Sequence, residues 1–431
     1  MSESSDERGG HFSNILHRHK FDLGASILLV AWVVVSRVPF ADNFATMGKD
    51  GGLYIHSLAL DRTYDVPMPG NIGYVVLGKV ANGFLPNPVH AFEAVNIVLS
   101  AVGVVFTYLF AAMVVARPLA AATAFAMASN AMVWWHGDLI ASYPVWLAVL
   151  PALGFFGLRF VRGHRFADLI GSTVALGLGM ILRPDLLFFG APLWFGCLAI
   201  GRARPRDWVI AVMILAAACA VWFFGTAAVL GGVGEYLARV RAKHEGDSEG
   251  FSIAKKGFFE GLVRNVAKYG LFLVWGAGLV VIPFGRSVVG RLKSTWRGTV
   301  LALLWVGPSW AFSFFVFAGN AGLIFPLLPL LYLGAAQGLD DWLGRVGPRA
   351  PTIAMACLGL LSTAQFVATP MLRETDQRDV ILNVTFFRYT GSGLLSRYNF
   401  NLDDYGISPA LASVLKQVRS PEPIPVVPPR N

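Results

Sequence analysis

The sequence is short of charge. Asp, Glu, Lys and Arg make up 14% of its 431 residues, against about a quarter in soluble domains. With 55% hydrophobic residues and a mean hydropathy of +0.58, this excludes a soluble enzyme, a disordered chain and a secreted disulfide module. Cysteine is scarce too. Cys197, Cys219 and Cys357 each lie in an apolar stretch, with no CxxC and no neighbouring His. They read as small buried hydrophobes and say nothing about redox compartment. No G-x-G-x-x-G and no P-loop is present to hold a nucleotide. The 46 glycines and 24 prolines form no low-complexity tract; they sit in apolar runs, as membrane helices permit.

What is present is a series of long apolar runs. Met1–Lys20 is polar, and Phe21–Phe40 follows as a signal anchor, with no small-x-small cleavage site behind it. Crossing a hydrocarbon core takes roughly 20 residues. Ala91–Ala116, Pro118–Trp135, Leu139–Phe160, Trp208–Leu230, Thr299–Ala318, Ala321–Leu339 and Thr352–Ala368 are long enough, and Tyr269–Phe284 is a shorter candidate. Between Ile170 and Ile200 the run is broken at Arg183-Pro184-Asp185. Arg159, Arg162 and Arg165 precede it and Arg202, Arg204 and Arg206 follow it. Basic clusters favour the cytoplasm, so this segment is expected to go out and come back as two short helices.

The expected fold is therefore all-α, a polytopic membrane protein of about 11 transmembrane helices, with the N-terminus inside and the C-terminus outside. Residues 1–20 form a cytoplasmic segment, 21–370 the bundle, and 371–431 an outer tail or small cap ending in a Pro-rich stretch. Ala41–His90 and Gly231–Lys268 are long outer loops. The net charge of +9 then reflects bases flanking spans and facing anionic lipid, not a nucleic-acid partner.

The first outer loop carries the clearest chemistry. Asp50 precedes Gly51, Gly52, Leu53, Tyr54, Ile55 and His56, a run that reads as an amphipathic surface helix with Leu53, Leu58 and Leu60 toward lipid. An acid at the outer face suits a general base acting on an acceptor hydroxyl; the plainer reading is a solvated loop acid. His136-Gly137-Asp138 ends the third span. There Asp138 is a candidate to orient an acceptor or a divalent metal, and His136 to contact a phosphate; an interfacial polar turn is the alternative. No other His, Asp or Glu cluster has metal-ligand spacing. Arg183 is costly in a short turn without a partner, so it is expected to bind a phosphate or to pair with Asp185. Lys255 and Lys256 lie in a charge-rich loop that is either solvated or a lid over the donor.

These residues resemble the C-type superfamily of polytopic membrane glycosyltransferases, in its branch related to protein O-mannosyltransferases. The likeness rests on one span, an early loop Asp, Gly70-Asn71-Ile72-Gly73-Tyr74-Val75-Val76-Leu77-Gly78-Lys79 and Asn96-Ile97-Val98-Leu99-Ser100-Ala101. Arg183-Pro184-Asp185 and Phe325-Pro326-Leu327-Leu328-Pro329 resemble recurrent turns there. Leu53 replaces the family's loop Glu, and Pro67-Met68-Pro69 replaces its His-Pro-Pro. The resemblance implies a glycosyltransferase of a bacterial inner membrane, with its site facing outside. It implies Asp50 as catalytic base and a polyprenyl-phosphate sugar donor, with Tyr54, His56, His136, Asp138, Arg183, Lys255 and Lys256 around the substrates. The rival readings are a lipid or glycan transporter and an inactive relative serving as a scaffold.

Overall fold

The computed structural model describes residues 6–38, 48–59, 69–138, 140–251, 257–291, 296–316 and 321–368. Among these residues there are helices and no strands. The helices are α1 (Asp6–Arg37), α2 (Gly48–Ala59), α3 (Ile72–Asn82), α4 (Pro88–Ala111), α5 (Arg117–Ala128), α6 (Ala131–Asp138), α7 (Pro144–Gly163) and α8 (Phe166–Leu182). There follow α9 (Leu186–Ile200), α10 (Pro205–Val229), α11 (Val233–Phe251), α12 (Phe258–Ala277), α13 (Val281–Arg291), α14 (Trp296–Phe315), α15 (Leu328–Leu343) and α16 (Ala350–Ala368). The expected tail or cap at 371–431 falls outside the described residues, as do Leu60, Lys255 and Lys256.

Among the described residues, five helices are long and apolar enough to cross a membrane: His19–Arg37 within α1, then α4, α7, α10 and α14. Shorter apolar helices include α3, α8 and α9. Large apolar side chains stay exposed along the outside of α1, such as Leu23 and Leu28, and of α10, such as Val209 and Met213. Such a surface suits lipid and not water. Inside, α4 lies along α7, α7 along α8, and α5 along α16. Trp146 and Trp194 are fully buried in this core. Cys197 is buried as expected, but Cys219 is half-buried and Cys357 exposed.

Several boundaries differ from the sequence reading, each for a local reason. The run Pro118–Trp135 is two helices, because Asn130 caps α6. Its Oδ1 accepts from the backbone N–H of Met132 at 2.9 Å, an alternative to continuing the helix that short polar side chains favour. Its Nδ2 donates to Tyr332 Oη at 2.9 Å and to the Gly276 carbonyl, tying the break to α15 and α12. The start of the next span moves to Pro144, whose fixed φ suits a first helical turn. The expected loop Gly231–Lys268 holds a helix, α11, and the first loop holds a second helix, α3.

The α8–α9 hairpin is present. At its open end, His164 Nδ1–H donates to the Gly201 carbonyl at 2.8 Å, so the turns carrying Arg165 and Arg202 lie side by side. Arg183-Pro184-Asp185 forms the other end, about 25 Å away along α8 by its rise per residue.

Candidate functional site

The Arg183 turn is built by α8 stopping and α9 starting within three residues. Pro184 cannot continue α8, and its neighbour Arg183 takes an extended backbone. Arg183 Nε donates to both oxygens of Asp185 at 3.0 Å. Its Nη1 donates to Ser142 Oγ at 2.9 Å. The guanidinium stacks on two rings, 4.0 Å from the Trp146 centroid and 4.5 Å from that of Tyr143. Trp146 Nε1 also donates to Asp185, at 3.3 Å. The Arg183 side chain is only 13% exposed. Burial, the largest single influence, pulls its pKa down, but Asp185, Tyr143 and Tyr54 together outweigh that and leave it raised, so the group is a permanent cation. Its hydrogen bonds among the described residues run through Nε and Nη1.

The first loop reaches this turn through Tyr54, one helical turn after Asp50 on α2. Tyr54 Oη donates to Ser142 Oγ at 3.4 Å, and Asn71 Nδ2 donates to Tyr54 Oη at 2.6 Å. Tyr74, on α3, packs edge-on against Tyr54 and donates to Asn96 Oδ1 at 2.9 Å. Helix α2 is therefore anchored rather than floating on lipid. Tyr54, Ile55, Ser57 and Leu58 are buried and Leu53 half-buried, which corrects the expectation that Leu53 and Leu58 face lipid. Asn71 and Tyr74 belong to the motif that carries the resemblance but had no role assigned there, while Ser142 and Trp146 were not singled out; only tertiary contact gives the four their place.

The loop's exit is pinned as well. Gly70, at φ +106, turns where an added Cβ would strike Thr226. Trp222 Nε1 donates to the Gly70 carbonyl at 2.9 Å, and Tyr236 Oη to that of Pro69 at 3.1 Å. This binds the first loop to the corner between α10 and α11.

His136 lies on α6, fully buried, with Phe325 edge-on at 4.7 Å and Tyr143 at 5.3 Å between centroids. Its Nδ1 is 2.8 Å from the Met132 carbonyl. A carbonyl only accepts, so Nδ1 carries the proton and Nε2 is a bare acceptor. Nε2 has no partner among the described residues. Burial, aided by Arg183, lowers its pKa to about 4 although the Met132 bond opposes this. A neutral imidazole offering a lone pair suits a hydroxyl donor.

Gly137 explains its own place in the His-Gly-Asp turn: a Cβ there would stand 2.6 Å from Arg37 Nε. Arg37 ends α1 and is fully buried. It donates to Ser36 Oγ and to the Ala128 carbonyl, both at 2.9 Å, the latter at the negative end of α5. The sequence reading passed over Arg37 as a flanking base. Asp138 ends α6 and His56 lies on α2; the side chains of Asp50, His56 and Asp138 are outside the described set. Among the described residues no three His, Cys, Asp or Glu side chains gather as a metal site requires.

No protein-family model matches this sequence, and no curated protein does. The chain shares its fold with ArnT from Cupriavidus metallidurans, solved bound to undecaprenyl phosphate. The TM-score is 0.51 at 16% identity, over 81% of this chain and 66% of that one. An Archaeoglobus fulgidus oligosaccharyltransferase, in complex with Zn and sulfate, gives a TM-score of 0.46 at 14% identity, over 79% of this chain and 53% of that one. The chain thus spans about two thirds and about half of those proteins. The likeness to ArnT is one of fold.

Proposed function

We propose that this chain is a membrane glycosyltransferase that moves a sugar from a polyprenyl-phosphate carrier to an envelope acceptor, whether lipid, glycan or protein. Its topology in this reading is eleven spans, N-terminus inside, with the site at the outer face. The observation that carries the reading is the network from α2 through Tyr54 and Ser142 to Arg183. It ties the helix on which Asp50 lies to the turn bearing a permanent cation.

The chemistry follows from those two groups. Asp50 takes the proton from the acceptor hydroxyl, and the acceptor oxygen bonds to the sugar's anomeric carbon. The bond from that carbon to the carrier phosphate breaks, and the phosphate leaves with the electron pair. Arg183 Nη2 and the remaining Nη1–H stabilise the growing negative charge, a contribution that preorganised donors make most effectively in a water-poor site. His136 Nε2 accepts from a sugar or acceptor hydroxyl. Tyr54, His56 and Asp138 border the acceptor side, and Lys255 and Lys256 the donor side.

The test is release of free polyprenyl phosphate from a lipid-linked sugar by the purified protein, with envelope extract as acceptor. Release by the unaltered protein and its loss in Asp50→Asn are expected. No release by either protein rejects this function; equal release by both removes Asp50 as its base.

A further inference from the structure

The end of the bundle away from Arg183 carries an unbalanced charge. Six arginines, at 159, 162, 165, 202, 204 and 206, meet there with two aspartates. Asp168 pairs with Arg159 at 2.9 Å. The Asp207 carboxylate accepts the backbone N–H of Arg204 at 3.3 Å. Arg162 donates to the Met113 carbonyl at 2.7 Å. Arg165, Arg202, Arg204 and Arg206 are exposed and have no ion-pair partner among the described residues.

Two further observations show that this face is shaped. The His164–Gly201 hydrogen bond fixes the two arginine-bearing turns against each other. His164 and Arg202 are also the two non-glycine residues with positive φ among the described residues, at 50° and 51°. Glycine is the usual occupant of such helix-terminal positions, because it avoids the Cβ penalty. In His164 the side chain makes the bridging bond; in Arg202 it is exposed and extends the charge.

Apolar surface lies directly beneath. Phe166 and Phe195 are 44% and 48% exposed, and Phe195 stacks on Trp208 with centroids 5.9 Å apart. Cations above exposed aromatics match a phospholipid, with headgroup at the arginines and chains along the rings. A soluble polyanion would leave the rings uncovered.

We infer that this face binds a phospholipid whose headgroup carries two phosphates, one engaged by the Arg162–Arg165 turn and one by the Arg202–Arg206 turn. The fixed spacing of the two turns makes a single bivalent ligand better than two separate anions, since the second contact is then intramolecular. The inference does not depend on the proposed function, because the face lies about 25 Å from Arg183 along α8.

The experiment measures the melting temperature of the full chain in neutral detergent. The probes are cardiolipin, phosphatidylglycerol at equal total phosphate, phosphatidylcholine, and tripolyphosphate. Cardiolipin is expected to raise the melting temperature several degrees more than phosphatidylglycerol does. Arg202→Gly is expected to melt no lower than the unaltered protein without lipid, since it relieves the positive φ, yet to lose most of the cardiolipin increment. Arg165→Gln should lose it too, while Arg345→Gln in the α15–α16 turn should keep it. Equal shifts from both anionic lipids would mean surface charge alone and overturn the inference. So would a tripolyphosphate shift matching cardiolipin, or a full increment in Arg202→Gly.

Discussion

Arg183 Nε donates to both carboxylate oxygens of Asp185 at 3.0 Å, two residues away across Pro184. This bond aims the guanidinium: Nε is spent on Asp185 and Nη1 on Ser142, over the rings of Tyr143 and Trp146. A strut and a phosphate ligand are therefore not exclusive roles. The pair fixes the geometry, and the remaining edge is the part offered to a ligand.

The two roles separate by mutation. Asp185→Ala should lower stability by about 3 kcal/mol, as removal of one partner from a mostly buried pair does. It should keep most of the stabilisation given by added polyprenyl phosphate. Arg183→Ala should lose that ligand effect, with donor affinity falling on the order of tenfold to a hundredfold, which is about 1.5–3 kcal/mol. Arg183→Lys should recover part of it, since an ammonium lacks the planar fork. Thermal melting with and without polyprenyl phosphate decides; an undiminished ligand shift in Arg183→Ala makes the residue purely structural.

Asp50→Asn should cut transfer by about 10²–10⁴, the usual worth of general-base help, without lowering the melting temperature. Asp61→Asn and Asp65→Asn should change the rate by less than about tenfold, because general-base help is confined to groups within reach of the abstracted proton. Steady-state release of polyprenyl phosphate measures all three, and a fully active Asp50→Asn removes the assigned base.

His136 should make the protein acid-sensitive. Its pKa is about 4 in the folded state against 6.5 for a free imidazole. Above pH 6.5 both states are neutral and there is no difference. As pH falls from 6.5 toward 4 the unfolded chain takes up the proton and the folded one does not, so stability drops, by about 2 kcal/mol at pH 5. His136→Phe should abolish this component, giving a smaller decline in melting temperature between pH 7 and pH 5 than the unaltered protein shows. An identical decline in both would mean that His136 titrates normally.

Gly137→Ala should destabilise by about 1–3 kcal/mol, the usual cost of forcing a methyl into filled space, because the new Cβ would press on Arg37 Nε. Gly231→Ala, where an added Cβ meets its nearest atom at 4.0 Å but φ is +94, should cost only the backbone penalty of about 1 kcal/mol. Chemical or thermal melting in detergent compares the two; equal small losses would show that Arg37 yields freely.

The sequence by itself determined what depends on solvent and on neighbours along the chain. Low charge and apolar runs of span length define a helical membrane protein, because the hydrocarbon core admits no unpaired backbone. Pro184 between two arginine clusters defines the α8–α9 hairpin. The resemblance carried by the first loop pointed to the fold shared with ArnT. The tertiary structure decided what depends on residues distant in sequence. Leu58 was given to lipid because helical periodicity shows an apolar face but not its partner, and in the fold, where α2 packs on α3 and α4, it is buried. The break at Asn130 was missed because its donors go to Tyr332 and Gly276, far along the chain. Ser142 carries no motif at all; it matters because Tyr54 and Arg183 converge on its one oxygen from sequence separations of 88 and 41 residues.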